Sequence, residues 1–173
     1  MKQLSFICLM LGALLFTSCN AVSVASDYDR KTDFNTYKTY TFHQKGLDKL
    51  KINDLDKRRI VDALDKEMAM KGFTKVSSNA DLVVNVLASS SQELTVDNDN
   101  FGYYGYGAWG GRHPYVSDYT SGKIIVDIVD DKRNILVWQG VGSGLNVSNI
   151  EAKSEKIPQA INEILTKFPP QIK

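Results

Sequence analysis

The sequence predicts an α+β fold: a two-layer sandwich in which a mainly antiparallel or mixed sheet carries two helices on one face. Three observations lead there. Ile60-Leu64-Met68 and Ile157-Ile161-Ile164-Phe168 repeat apolar side chains at helical spacing. Several shorter runs alternate at strand spacing, rich in aromatic and β-branched residues. The order along the chain is strands, helix, strands, hairpin, helix, without an internal repeat, so one domain accounts for it.

The N-terminal segment stands apart from that pattern. Lys2 gives it a positive start, and Leu4 to Phe16 is apolar apart from Ser5 and small residues. Such a run fits an export signal, since a membrane span needs about 20 apolar residues. Leu15-Phe16-Thr17-Ser18-Cys19 resembles the lipobox of bacterial lipoproteins, with Phe16 where leucine is usual. The resemblance implies a signal peptide over 1–18, cleavage before Cys19 and acylation of the Cys19 thiol. Each buried methylene of an acyl chain contributes about 0.8 kcal/mol, so several chains anchor firmly. No acidic run follows Cys19. The expected place is therefore the outer membrane, lipid-anchored and facing the periplasm. Cys8 leaves with the signal, and no disulfide is expected in the remaining domain, 19–173.

Residues 19–26 read as a tether that overlaps an edge strand over Val22 to Tyr28. Phe34 to Phe42 alternates as a stronger strand, and His43 to Ile52 reads as a polar connection. The first helix is expected from Asp54 to Lys71, with Asn53 as N-cap, acidic residues in the first turn, and Gly72 just past its end. Phe73 to Val76 starts a short strand, and Asp81 to Ala88 reads as a buried one. A Gly/Tyr-rich loop spans 97–118. The runs from Gly122 to Val129 and from Ile135 to Val141 form a hairpin across Asp130-Asp131-Lys132-Arg133-Asn134. Ser148 and Glu151 have capping-box spacing before the last helix. Pro158 conflicts with an early start, so regular helix is expected from Ser154 or Glu155 until Pro169-Pro170.

Charge and motif content exclude several classes. There are 21 Lys+Arg against 20 Asp+Glu, and the densest basic run, Lys57-Arg58-Arg59, is flanked by Asp54, Asp56 and Asp62. A nucleic-acid partner is not expected from so even a balance. His43 and His113 are the only histidines and show no ligand spacing, so no metal or other cofactor is expected. Asp97-Asn98-Asp99 with Gly102 fails as a calcium loop, because Phe101 and Ala108 fall where oxygen ligands belong. Gly105-Tyr106-Gly107-Ala108-Trp109-Gly110 matches a dinucleotide fingerprint in letters but lacks its strand–helix setting. Gly142-Ser143-Gly144 lacks nucleophile-elbow spacing, and no residues form a recognisable triad. Asp127 with Asp130 reads as a strand acid beside a turn acid. An enzyme is not expected.

The segment Phe101 to Tyr115 is the candidate binding loop. It interleaves Tyr103, Tyr104, Tyr106, Trp109 and Tyr115 with five glycines, giving large contact area on a freely bending backbone. Finally, Asp27-Tyr28-Asp29 with Phe34, Tyr37, Lys38, Thr39 and Tyr40 resembles the opening of a bacterial lipoprotein family known as domain of unknown function forty-one thirty-six. The likeness continues through Lys71-Gly72-Phe73, Ala80 to Val84, the Gly122 to Asp130 strand and Leu136 to Gly140, and closes at Phe168-Pro169-Pro170. It implies an envelope lipoprotein domain without an established activity. The expected function is a non-catalytic interaction module on the outer membrane, held by its N-terminal lipid and meeting an envelope protein. The alternative is a glycan or peptidoglycan binder that uses the aromatic loop.

Overall fold

The computed structural model describes residues 22–96 and 116–170. Six strands form one sheet in the order β1-β6-β5-β4-β2-β3. β1 (Ser23–Tyr28), β6 (Ile135–Asn146), β5 (Val116–Asp130) and β4 (Leu82–Val96) are successively antiparallel. β2 (Thr39–Phe42) runs parallel to both β4 and β3 (Thr74–Lys75). The parallel step follows from the helices α1 (Gln44–Asp48) and α2 (Asp54–Met70), which supply the crossover that parallel neighbours need. The expected α+β fold with a mixed sheet is what the chain adopts.

α2 and α3 (Ile150–Leu165) lie side by side on one face of the sheet and run in the same direction. Lys153 of the first α3 turn reaches Asp56 of the first α2 turn at 3.0 Å, and Asn162 near the far end donates to Glu67 at 2.8 Å. Beneath them the even-numbered β4 residues Leu82, Val84 and Val86 meet Val126, Ile128, Trp138 and the α3 stripe, all nearly inaccessible. Phe168 closes the core, with ring centroids 5.3 Å from Trp138 and 5.5 Å from Phe73. Burying a side chain of this size contributes roughly 1.5–3 kcal/mol, which fixes the faces of both helices.

Several boundaries differ from the sequence expectation. Phe34 to Phe42 is not one strand. Asp33 caps a 3-10 turn over Phe34–Thr36 by accepting from the Asn35 amide, so Phe34 and Tyr37 both turn inward. Pairing then starts at Thr39, where Asp81 accepts from the Lys38 and Thr39 amides. The polar connection contains α1, and β4 continues past Ala88 to Val96. There it pairs with a β5 that begins at Val116, so 116–118 of the expected loop are strand, just as 23–26 of the expected tether belong to β1. The last helix is capped by Asn149, which accepts from the Ala152 amide, whereas Ser148 bonds to Asn146. It continues through Pro158, which faces solvent while Ile157, Ala160 and Ile161 are buried. The Asn53 cap and the left-handed backbone at Gly72 (φ 86°) follow the sequence reading.

Register fixes which end of the sheet is which. Ser23 pairs with Ser143, Ser143 with Lys123, and Lys123 with Ser89. The chain thus enters β1 level with Ser89, and β4 and β5 run on together to Val96 and Val116. At about 3.3 Å per residue β4 and β5 extend roughly 23 Å beyond the point of entry, and past the last β6 rung at Asn146–Ser121 they form a two-stranded ribbon.

Candidate functional site

Cys19 and the loop residues Tyr103, Tyr104, Tyr106, Trp109 and Tyr115 all lie outside the described residues, so none of them is brought to a described site. Three other places gather polar chemistry. The first is at the end of the sheet away from the ribbon. Asp130 closes β5, and its carboxylate accepts from the Arg133 amide at 2.8 Å, the Arg133 Nε at 2.8 Å and the Tyr37 hydroxyl at 2.7 Å. The Arg133 guanidinium also donates to the Tyr37 oxygen at 2.7 Å. Burial alone would push the Asp130 carboxyl up, but these hydrogen bonds and the adjacent guanidinium hold it below the usual range. Burial followed by the bond to Asp130 pushes the Tyr37 phenol up.

A shallow depression of about 270 Å³ beside this cluster is lined by Thr36, Tyr37, Asp81, Asp130, Lys132 and Arg133. Its second carboxylate, Asp81, is also occupied. The Lys38 amide, the Thr39 hydroxyl and the Thr39 amide hold its pKa below the ordinary value. Both aspartates act as acceptors that pin loops to strand ends: Asp130 ties the β5–β6 turn to Tyr37, and Asp81 ties the start of β4 to the start of β2. Chemically the cluster is a staple.

The second place lies where α2 and α3 begin. Ile52, Ile60, Ala88, Ile124, Leu145 and Ile157 line a narrow apolar pocket of about 90 Å³. Asp56 sits at its rim between Arg59 and Lys153. Burial would raise the Asp56 carboxyl, and the Lys153, Arg59 and Asn53 donors outweigh it. Among the described residues, no group of three or more His, Cys, Asp or Glu could hold a metal ion.

The third place is a groove of about 610 Å³ between α1 and the outer edge of β4. His43, Lys45, Lys49, Leu50 and Lys51 form one wall, and Asn85 to Ser90 form the other. His43, the residue after β2, donates its amide to the Val84 carbonyl and places Nδ1 3.3 Å from Asn85 Oδ1. Sequence reasoning missed this groove. Its signal was three lysines within seven residues of the connection, but their neighbour is set only by strand order.

On the sheet face away from the helices, a row of apolar side chains crosses four strands: Leu87, Ile125, Val141 and Ala25. Leu87 is 49% exposed. No helix among the described residues is long and apolar enough to cross a membrane.

A family model described as a domain of unknown function (DUF4136) matches residues 24–170. Comparison with curated protein sequences gave no match. Among solved structures, a PDZ domain protein from Parabacteroides distasonis aligns with TM-score 0.57 and 13% identity over 87% of this chain. The aligned part is 36% of that protein, so the chain spans about a third of its length. The PelC dodecamer from Paraburkholderia phytofirmans (space group P6) aligns with TM-score 0.51 and 10% identity, covering 84% of this chain and 96% of that one. A neuraminyllactose-binding hemagglutinin homolog from Helicobacter pylori gives TM-score 0.48 and 12% identity, over 84% and 94% of the two chains. The first two likenesses show a shared fold.

Proposed function

The chain belongs to the DUF4136 family, whose model spans residues 24–170, and from that premise we propose that it is an acylated envelope lipoprotein. In this reading it acts as a non-catalytic interaction module, held on the outer membrane and facing the periplasm. The observation that carries the reading is the position of Val22. This residue is only 7% exposed and packs beside Gly142 and Ile164. It stands three residues after Cys19, so the slack between an acylated cysteine and the folded core is at most about 11 Å. A lipid on Cys19 would thus hold the domain close to the bilayer, with the end of the sheet where β1 begins toward the membrane. The sheet would be tilted, because β4 and β5 reach further beyond that end than the tether does. The staple at Asp130 would face away from it.

The occupied carboxylates support the non-catalytic part. A general base must be free to take a proton near the working pH, whereas Asp56, Asp81 and Asp130 are all held below the ordinary range by several donors. The apolar row through Leu87 supplies contact surface for a partner.

Two measurements test the proposal in the same strain. Cys19→Ser should move the protein from the membrane to the soluble fraction and remove a lipid mass from the mature chain. A photo-crosslinking side chain at Leu87 should capture an envelope protein. A wild-type chain without lipid mass would refute the anchoring. Crosslinking silence at every exposed sheet position would refute the module.

A further inference from the structure

β4 is paired on both sides only at its start. On one flank β5 follows it from Leu82 to Val96 without a register shift. On the other, β2 accompanies only Leu82 to Val84 and then turns away at His43. In an antiparallel pair, alternate residues direct both backbone groups to the same side. The Asp81 carbonyl accepts from the Asp131 amide, so the odd-numbered residues face β5. The Val84 carbonyl accepts from the His43 amide, so the even-numbered ones face the other flank. Val86, Ala88 and Ser90 follow in that series. Among the described residues, no backbone group bonds to theirs on this side.

The groove along that edge has the volume of a ligand site, which runs to roughly 300–1,000 Å³, and its charge has one sign. Lys45, Lys49 and Lys51 line it, and no acidic residue does. Asp48, the one acid of α1, accepts from Gln44 and is not part of the lining. Among the described residues, none of the three lysines forms an ion pair.

We propose that the β4 edge from Val86 to Ser90 takes up an extended acidic segment of a partner protein as an added strand. The partner's main chain bonds to the free amides and carbonyls, and its carboxylates meet the three lysines. Strand addition obtains affinity from the main chain and selectivity from the flanking side chains. A second copy of this chain fits worse, because two β4 edges meeting about a two-fold axis would bring both lysine sets together. The inference rests on the reading of the chain as an interaction module, and it is independent of the acylation of Cys19.

The test uses the full chain as cells produce it, purified with detergent present, and a short, end-blocked fluorescent peptide alternating glutamate with threonine. The expected result is binding by anisotropy, with slowed hydrogen exchange at the Val86, Ala88 and Ser90 amides. N-methylating the peptide on alternate residues, which removes the edge-facing donors, should weaken it by about tenfold or more, the worth of one or two hydrogen bonds. A lysine-for-glutamate peptide should bind only the Lys45→Glu, Lys49→Glu, Lys51→Glu variant.

Absence of binding overturns the proposal. So does unchanged binding of the N-methylated peptide, which would reduce the groove to a diffuse charge patch. A dimeric mass that the triple variant abolishes would give the edge to a second copy, and overturns it too. Crosslinking in cells separates the two levels of failure. A partner captured from Val141, on the outer sheet face and outside the groove, with a silent β4 edge removes this inference alone, whereas silence at both removes the module reading as well.

Discussion

At the scale of single residues, the most informative side chains are those whose partners lie far away in sequence. Asp130 looks like one more turn acid in the run from Asp130 to Asn134, yet its carboxylate is 8% exposed and joined to Tyr37, 93 positions earlier. Asp130→Asn should cost about 2 kcal/mol, because the charge-assisted bonds weaken and the buried phenol loses its acceptor. The pH dependence has a definite sign. The folded pKa lies below the unfolded one. The Asp130 contribution is therefore complete above the unfolded value of about 3.9 and is lost as pH falls through the lower folded value. Melting curves at about pH 6 and pH 3 should show a smaller acid loss in the asparagine variant than in wild type. An equal loss would mean that Asp130 is not coupled to folding. Gly140 makes a second case. A Cβ there would run into the Trp138 ring and Ile164, so Gly140→Ala should destabilise by about 1–3 kcal/mol in urea titration.

At the scale of elements, the sequence was legible wherever one periodicity governed a whole segment. The stripes of α2 and α3, the Asn53 cap, the turn at Gly72 and the β5–β6 hairpin all follow local rules. It was misleading where a local polar bond competed with the pattern. Phe34 to Phe42 alternates correctly, but the Asp33 cap and the Asp81 acceptor divide it into a 3-10 turn and a four-residue strand. Pro158 was misread for the opposite reason. The penalty for an interior proline is real, but the apolar face of α3 is buried against the sheet on both sides of it, and burial outweighs one lost bond. Removing that penalty is therefore a direct check. Pro158→Ala should raise stability by about 2 kcal/mol, since the helix regains a donor worth about 3 kcal/mol and the unfolded chain gains up to about 1 kcal/mol of freedom. A lower melting temperature would show that the proline ring itself packs productively.

At the scale of the molecule, the surfaces offered to a partner depend on how ends and edges are arranged, and that follows from strand order. The lipobox-like run at Cys19 is contiguous and so stands out in the sequence, whereas the lysine groove does not. Nothing local shows that β2 stops opposite Val84 while β4 runs on. The same topology governs the aromatic loop, whose residues 97–115 join Val96 to Val116, partners in the last rung of the ribbon. Replacing 97–115 with a short glycine-serine turn should therefore leave the sheet standing. The strands beneath it are held by the buried rows from Leu82 to Val86 and from Ile124 to Ile128, and shortening the loop by about two halvings changes closure entropy by only about 1.2 kcal/mol. For a domain of this size that is a melting shift of roughly 5 °C or less. If Tyr103, Tyr104, Tyr106, Trp109 and Tyr115 carry contacts, the variant should keep its melting temperature and lose glycan retention or crosslinks made from the ribbon side. Crosslinks from Leu87 should remain, because that row lies on the sheet face, below the ribbon. A collapsed melting temperature would instead place the aromatics in the core. Unchanged melting, glycan retention and crosslinking would leave the β4 edge and the outer sheet face as the surfaces on which to seek a partner.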